Sequence, residues 1–259
     1  MELENLTKSR GFFQFRYEGT PQMPLAIIEA ARVVQDRAKD LGKFSLPIWN
    51  PGNPEGQLLR NADLSMFWGF STTNLQISTL YAVPMIQQLD EIIRLIMAGL
   101  DQVKPAKLSR CGFALNTNVD LGMTHPELVE SMFGTLTLDR DGLGFISNDL
   151  DDLVVQLYGK NGDLRWMLQV MPQTEGDARL TILTTANLEL FKKDKHSPEI
   201  SDYLARISKP SLFINVDVFQ EGVERHRLET FIHQAVPTAV DLINRTISKV
   251  MSLPLKVGR

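Results

Sequence analysis

Pro210-Ser211-Leu212-Phe213-Ile214-Asn215-Val216-Asp217-Val218-Phe219 is the stretch that decides the fold, together with the segment from Arg225 to Met251 that follows it. Apolar and polar side chains alternate in the first part, which is typical of a β-strand with one buried face. In the second part apolar residues recur at three- and four-residue spacing, which predicts a helix. Such a helix is about 40 Å long, enough to cross a whole sheet.

The rest of the chain supplies strands and helices that this pair can join. Alternating segments predict strands at 11–17, 63–69, 74–81, 110–120, 152–158, 164–171 and 179–186. Helical spacing predicts helices at 25–41, 84–103 and 198–207, and a short helix capped by Thr124. The segment 43–62 is rich in Pro and Gly and is expected to be a loop that carries Trp49. Pro237 is expected to kink the last helix or to start a second one.

Strands that follow one another in runs, with few helices between them, favour antiparallel pairing. We therefore predict an α+β fold with a largely antiparallel sheet, helices packed on one face and a long C-terminal helix. The chain is expected to form a single domain, 1–259. Its two parts have a similar outline, which indicates internal halves at 10–104 and 110–252. In that comparison Gly11-Phe12-Phe13 is set against Gly112-Phe113-Ala114.

Composition narrows the class of protein. The 259 residues are 43% hydrophobic and 22% charged, and the formal net charge is −4, which disfavours nucleic acid as a partner. No apolar run approaches the roughly 20 residues that span a bilayer. The N-terminus lacks the apolar core of a secretory signal, and the single cysteine excludes an internal disulfide. We expect a soluble cytoplasmic protein without membrane contact.

Two motifs are candidates for metal binding, and neither has a full ligand set. The segment 139–150 opens like an EF-hand loop, but Leu143 and Leu150 occupy positions five and twelve, where oxygen ligands are needed. His226 and His233 lie seven residues apart, about 10 Å along a helix, which is too far to share one ion. The sequence therefore predicts no metal and no cofactor.

Four segments resemble a sporadically distributed bacterial family of uncharacterised proteins of about this length. The resemblance is carried by residues 110–116, 213–218, 228–233 and 243–247, where the chain reads RCGFALN, FINVDV, LETFIH and INRTI. It covers about a fifth of the chain and implies no particular reaction.

The candidate binding site is the polar side of the predicted strands. It collects amides, arginines and an aspartate, which give hydrogen-bonding specificity; the candidates are Asn116, Asn118, Arg165, Arg179, Asn215 and Asp217. One hypothesis is a non-enzymatic binding or assembly protein that holds a protein partner, or a second copy of itself, on this open polar sheet face. The alternative is an enzyme or small-ligand binder between the sheet and the 43–62 loop. Asp217, Asn116 and Arg165 would then form the site, with Trp49 on the lid.

Overall fold

A computed structural model gives the structure of the protein. It describes residues 3–38 except 8 and 21, the strands at 48–49 and 56–60, residues 66–136 except 106, residues 153–178, residue 205, and residues 209–251. Within these ranges no helix is long and apolar enough to cross a membrane.

The strands are β1 Arg10–Tyr17, β2 Ile48–Trp49, β3 Gly56–Arg60, β4 Met66–Ser71, β5 Asn74–Thr79, β6 Leu108–Val119, β7 Val155–Asn161, β8 Leu164–Gln173 and β9 Ser211–Val223. The helices are α1 Met23–Arg37, α2 Ala82–Gln87, α3 Leu89–Val103, α4 His125–Leu136 and α5 Leu228–Met251.

The described strands form one antiparallel sheet in the order β2-β3-β4-β5-β1-β6-β9-β8-β7. The helices pack on one side of it: α1 against β3 and β4, α2 against β1, α4 against β8, and α5 against β6 and β9. The predicted α+β class, antiparallel sheet, one-sided helices and long C-terminal helix are therefore confirmed. The buried strand residues that face the helices, such as Phe13, Phe113 and Val218, form the core with the apolar faces of those helices.

The register of the sheet is mirrored about its centre. Phe13 lies directly opposite Phe113, and their rings are 4.6 Å apart between centroids. Outward from this pair, one side continues through Ile77 to Trp68 and the other through Val218 to Trp166. Phe13 thus corresponds to Phe113, one residue away from the alignment that sets Gly11 against Gly112. The single domain 1–259 and a duplication of 10–104 and 110–252 stay predictions.

Several local predictions hold in the structure. Thr124 precedes α4, and its backbone N–H and hydroxyl both donate to the Glu127 carboxylate, at 2.7 and 2.8 Å. The backbone hydrogen bond, followed by the hydroxyl, lowers the pKa of Glu127. The predicted 152–171 hairpin exists as β7 and β8, and Gly162 in its turn has the positive φ that glycine tolerates best, +60°.

Other predictions were wrong, and each error has a local cause. The 43–62 segment is not one loop, because β2 and β3 pair within it and β3 also pairs with β4; its many Pro and Gly residues obscured two short strands. The helix expected at 25–41 begins at Met23, since Pro24 fits a first helical turn. The 84–103 helix is two helices that meet at Gln88. α5 runs through Pro237 as one helix, so no second helix starts there.

Some expectations lie outside the described residues. These are the EF-hand-like segment 139–150, the strand at 179–186 with Arg179, and the helix at 198–207 except residue 205.

Candidate functional site

The face of the sheet opposite the helices, here called the open face, is concave at its centre. A depression of about 470 Å³, the sheet groove, lies over β5, β1, β6 and β9. Apart from Leu80, which follows β5, its lining comes from the strands: Arg10, Gly11, Phe12, Gln14, Phe67, Gln76, Ser78, Thr79, Leu80, Arg110, Gly112, Ala114, Asn116, Met167, Asn215 and Asp217. A concavity of this volume with apolar and polar groups is typical of a ligand site.

Two small residues in β6 provide the floor of the sheet groove. Gly112 and Ala114 are successive open-face residues of this central strand, and their neighbours on β1 are Gln14 and Phe12. Because the floor has almost no side chains while the flanking strands have long ones, the middle of the sheet is the deepest part. A Cβ on Gly112 would make ordinary contacts, 3.6 Å from Asp217 Oδ1 and 3.9 Å from Arg110 Cζ.

Arg110 and Asp217 form an ion pair across this floor. Arg110 Nη2 lies 2.6 Å from Asp217 Oδ2, and the guanidinium carbon is 4.7 Å from the centre of the Phe219 ring. Asp217 is opposite Ala114 in the register, so Arg110 reaches it by crossing the position of Gly112. Both charged side chains are about one quarter exposed, so the pair is partly shielded from water.

The amides of the predicted site continue along one row of the open face. Asn116, Asn215 and Gln169 are directly opposite one another on β6, β9 and β8. The Asn215 side-chain N–H donates to Gln169 Oε1 at 3.5 Å. Asn116 Oδ1 is buried and has no hydrogen-bond partner within the described residues. The structure thus brings Asn116, Asn215 and Asp217 together in the sheet groove, as the sequence predicted for one polar face.

The remaining candidates lie elsewhere. Asn118 is on the same side of the sheet but only 4% exposed, and its Oδ1 accepts a hydrogen bond from Ser211 Oγ at 3.4 Å. Arg165 is exposed and pairs with Glu221 at 3.5 Å, away from the groove lining. Trp49 belongs to β2, where its backbone is paired with Gln57. Arg179 lies outside the described residues.

Sequence reasoning named only Asn116, Asn215 and Asp217 of the lining and missed the rest, including Arg110 and three other large side chains. Phe12 and Phe67 were assigned to strands without regard to which face they would take, and both lie in the groove. Arg10, which is only 7% exposed, lies there too, one position before the predicted start of its strand. Gly112 gave a usable signal, since an isolated glycine within a strand often marks a place that something approaches closely.

The cysteine and the described histidines, His125, His226 and His233, take no part in the sheet groove. Cys111 is buried on the helix side of β6, and burial raises the pKa of its thiol to about 12, so it is protonated at neutral pH. His233 lies near Glu229 and Asp90, and His226 near Glu224, all at 3.3–3.9 Å. Within the described part of the chain, no three His, Cys, Asp or Glu side chains are grouped as metal ligands.

Comparisons with known proteins give little beyond this geometry. No protein-family model matches the chain, and no curated protein matches it in sequence. Among solved structures, a T6SS protein of Pseudomonas aeruginosa aligns over 88% of this chain and 71% of its own, with 11% sequence identity and a TM-score of 0.26. The function must therefore be argued from the sheet groove alone.

Proposed function

We propose that this chain is a cytoplasmic, non-enzymatic binding or assembly protein that holds a polypeptide, from a partner protein or from a second copy of itself, in the sheet groove. The strongest support for the proposal is the shape of the open face. The face that the helices leave open is concave, and its concavity of about 470 Å³ is lined by both hydrogen-bonding and apolar side chains.

The chemistry of the lining suits a polypeptide. Side-chain amides donate and accept hydrogen bonds as peptide groups do, and Asn116, Asn215 and Gln76 supply them. Phe12, Phe67 and Met167 supply apolar surface beside them. Interfaces between proteins combine such apolar centres with hydrogen-bonding groups.

The test compares two substitutions on the groove floor. Ala114→Leu fills the floor, whereas Gly112→Ala adds one methyl group that has room. Each variant would be purified with a tag from its native cells, and the bound protein quantified by mass spectrometry and the assembly mass by light scattering. We expect a stoichiometric partner or a defined oligomer with the wild type and Gly112→Ala, and its loss with Ala114→Leu. Identical assemblies for all three folded proteins would contradict the proposal.

A second candidate is a small-ligand binder or enzyme. The volume of the sheet groove favours it, because ligand pockets of this size hold small molecules. Of the residues expected for such a site, Asn116 and Asp217 line the groove, while Arg165 does not. Mass spectrometry of the denatured protein tests this candidate: a small molecule released in equal amount to the chain would favour it over a polypeptide partner.

A further inference from the structure

Resting on the proposed function, we propose that the segment bound in the sheet groove is an extended, uncharged stretch of polypeptide. Its backbone N–H groups donate to Asn116 and Asp217, and its apolar side chains lie against Phe12 and Phe67. The inference names the chemistry of the partner, which the proposed function leaves open.

Two acceptor oxygens on the groove floor carry the inference. Asn116 Oδ1 is buried with no hydrogen-bond partner within the described residues, a costly state that a ligand N–H would relieve. Asp217 uses Oδ2 for Arg110, while its Oδ1 lies over the floor, 3.6 Å from where a Gly112 Cβ would be. These residues are on adjacent strands, and Asn116 is paired with Asn215, two residues before Asp217. A ligand must therefore bring donors to this part of the groove.

The charges of the groove disfavour an ionic ligand. A charged ligand group on the floor would have to compete with the ion pair of Arg110 and Asp217, and a cationic group would also meet the guanidinium of Arg10. The close pair of Arg110 and Asp217 already compensates both of its charges at 2.6 Å. A neutral N–H donor satisfies the two acceptors without opposing any of these groups, and the peptide group is such a donor.

Apolar side chains at two sides of the floor fix the direction of the segment. Phe67 belongs to β4, Phe12 to β1 and Met167 to β8, so a ligand that contacts all three lies across the strands. From β4 to β8 there are five strand spacings, or about 24 Å, which about seven extended residues span. Between Phe12 and Met167 such a segment passes over Ala114 and Asp217, which share their row of the sheet.

A random-peptide library displayed on phage provides the probe. Peptides selected on the wild-type chain would be synthesised, and their affinity measured by titration calorimetry against the wild type, Asn116→Leu and the matched control Asn5→Leu. We expect uncharged, apolar-rich peptides that bind Asn116→Leu about tenfold more weakly or worse, because one ligand N–H then lacks its acceptor. Asn5→Leu should bind within about twofold of the wild type, since the Asn5 side chain is exposed, bonds Asn244 of α5 and lies outside the groove lining.

A stability measurement separates binding from a structural role. Leucine at position 116 removes a buried acceptor that has no partner within the described residues, so the thermal midpoint of the free protein should not fall. Backbone N-methylation of the selected peptides should weaken binding at one or two positions only. Strongly charged peptides, or affinity that neither Asn116→Leu nor N-methylation lowers, would overturn this inference. The proposed function would still stand on the Ala114→Leu comparison of assemblies.

Discussion

At the residue scale, the small residues of the groove floor matter most. Gly112 and Ala114 keep the floor low, and the Arg110 side chain reaches Asp217 past Gly112 on β6. An isolated glycine in a strand lowers stability slightly, so its place at the centre of the sheet agrees with a role in contact rather than in folding.

The ion pair of Arg110 and Asp217 predicts that Arg110 contributes more to the free energy of unfolding than Arg165, which lies on the same face of the sheet. Arg110→Ala should lower the free energy of unfolding by about 1–2 kcal/mol, because it leaves a partly buried carboxylate without its partner. Arg165→Ala is the matched control. Its pair with Glu221 is about 60% exposed on both sides, so the loss should stay below about 0.5 kcal/mol. Urea denaturation measures the free energy of unfolding of both variants, and equal losses would contradict a partly shielded pair of Arg110 and Asp217.

Burial of Cys111 predicts an unreactive thiol. Its pKa is raised from 9.0 to about 12 by desolvation, so the folded protein should not react with a disulfide reagent at pH 8, whereas the urea-unfolded protein should. The unfolded thiol ionises first, so the stability that the neutral thiol contributes is complete below pH 9. It is lost as the pH rises towards 12. Cys111→Ala should flatten the fall in stability above pH 9, and an unchanged profile would contradict this account.

At the scale of elements, the sequence predicted the local periodicity and the hairpins β4–β5 and β7–β8, but not the order of the strands in the whole sheet. The alternation in β6 and β9 placed Asn116, Asn215 and Asp217 on one face, because the side-chain period of a strand is two. Which strands are neighbours depends on contacts between residues far apart in the chain, and no local pattern contains them. The comparison of the halves through their glycines was one residue out of register, and a slip of one residue exchanges the two faces of a strand.

Helix α5 gives a prediction of its own. Pro237 is exposed in the helix interior, where it leaves the carbonyl of His233 without the usual N–H donor. Pro237→Ala should restore that bond and raise the free energy of unfolding by about 1–3 kcal/mol. Thr238→Ala, which removes only the hydroxyl bond to the Gln234 carbonyl, should change it little. Destabilisation by Pro237→Ala in thermal unfolding would show that α5 is not the regular helix described here.

At the scale of the whole molecule, the groove lies over the middle of the sheet, where the strands that flank β1 meet those that flank β6. β1 and β6 lie at the middle of the sheet, and the described helices α1, α2, α4 and α5 pack against its other face. This arrangement leaves the middle of the sheet available to a partner while the core stays closed. The sequence could not predict the groove, because its depth depends on which residues are neighbours in the sheet. Ala114 lies between Phe12 and Asp217, and Gly112 lies between Gln14 and Phe219; this is set by strand register rather than by composition.

The central claim is that the sheet groove is the binding surface, and photocrosslinking in the native cells tests it most directly. Benzoylphenylalanine would replace Phe12, which lines the groove, and, as the matched control, Leu25, which is 76% exposed on α1. The account predicts a defined protein adduct, or a crosslinked dimer of this chain, from position 12 and none from position 25. No adduct from position 12, or the same adducts from both positions, would contradict it.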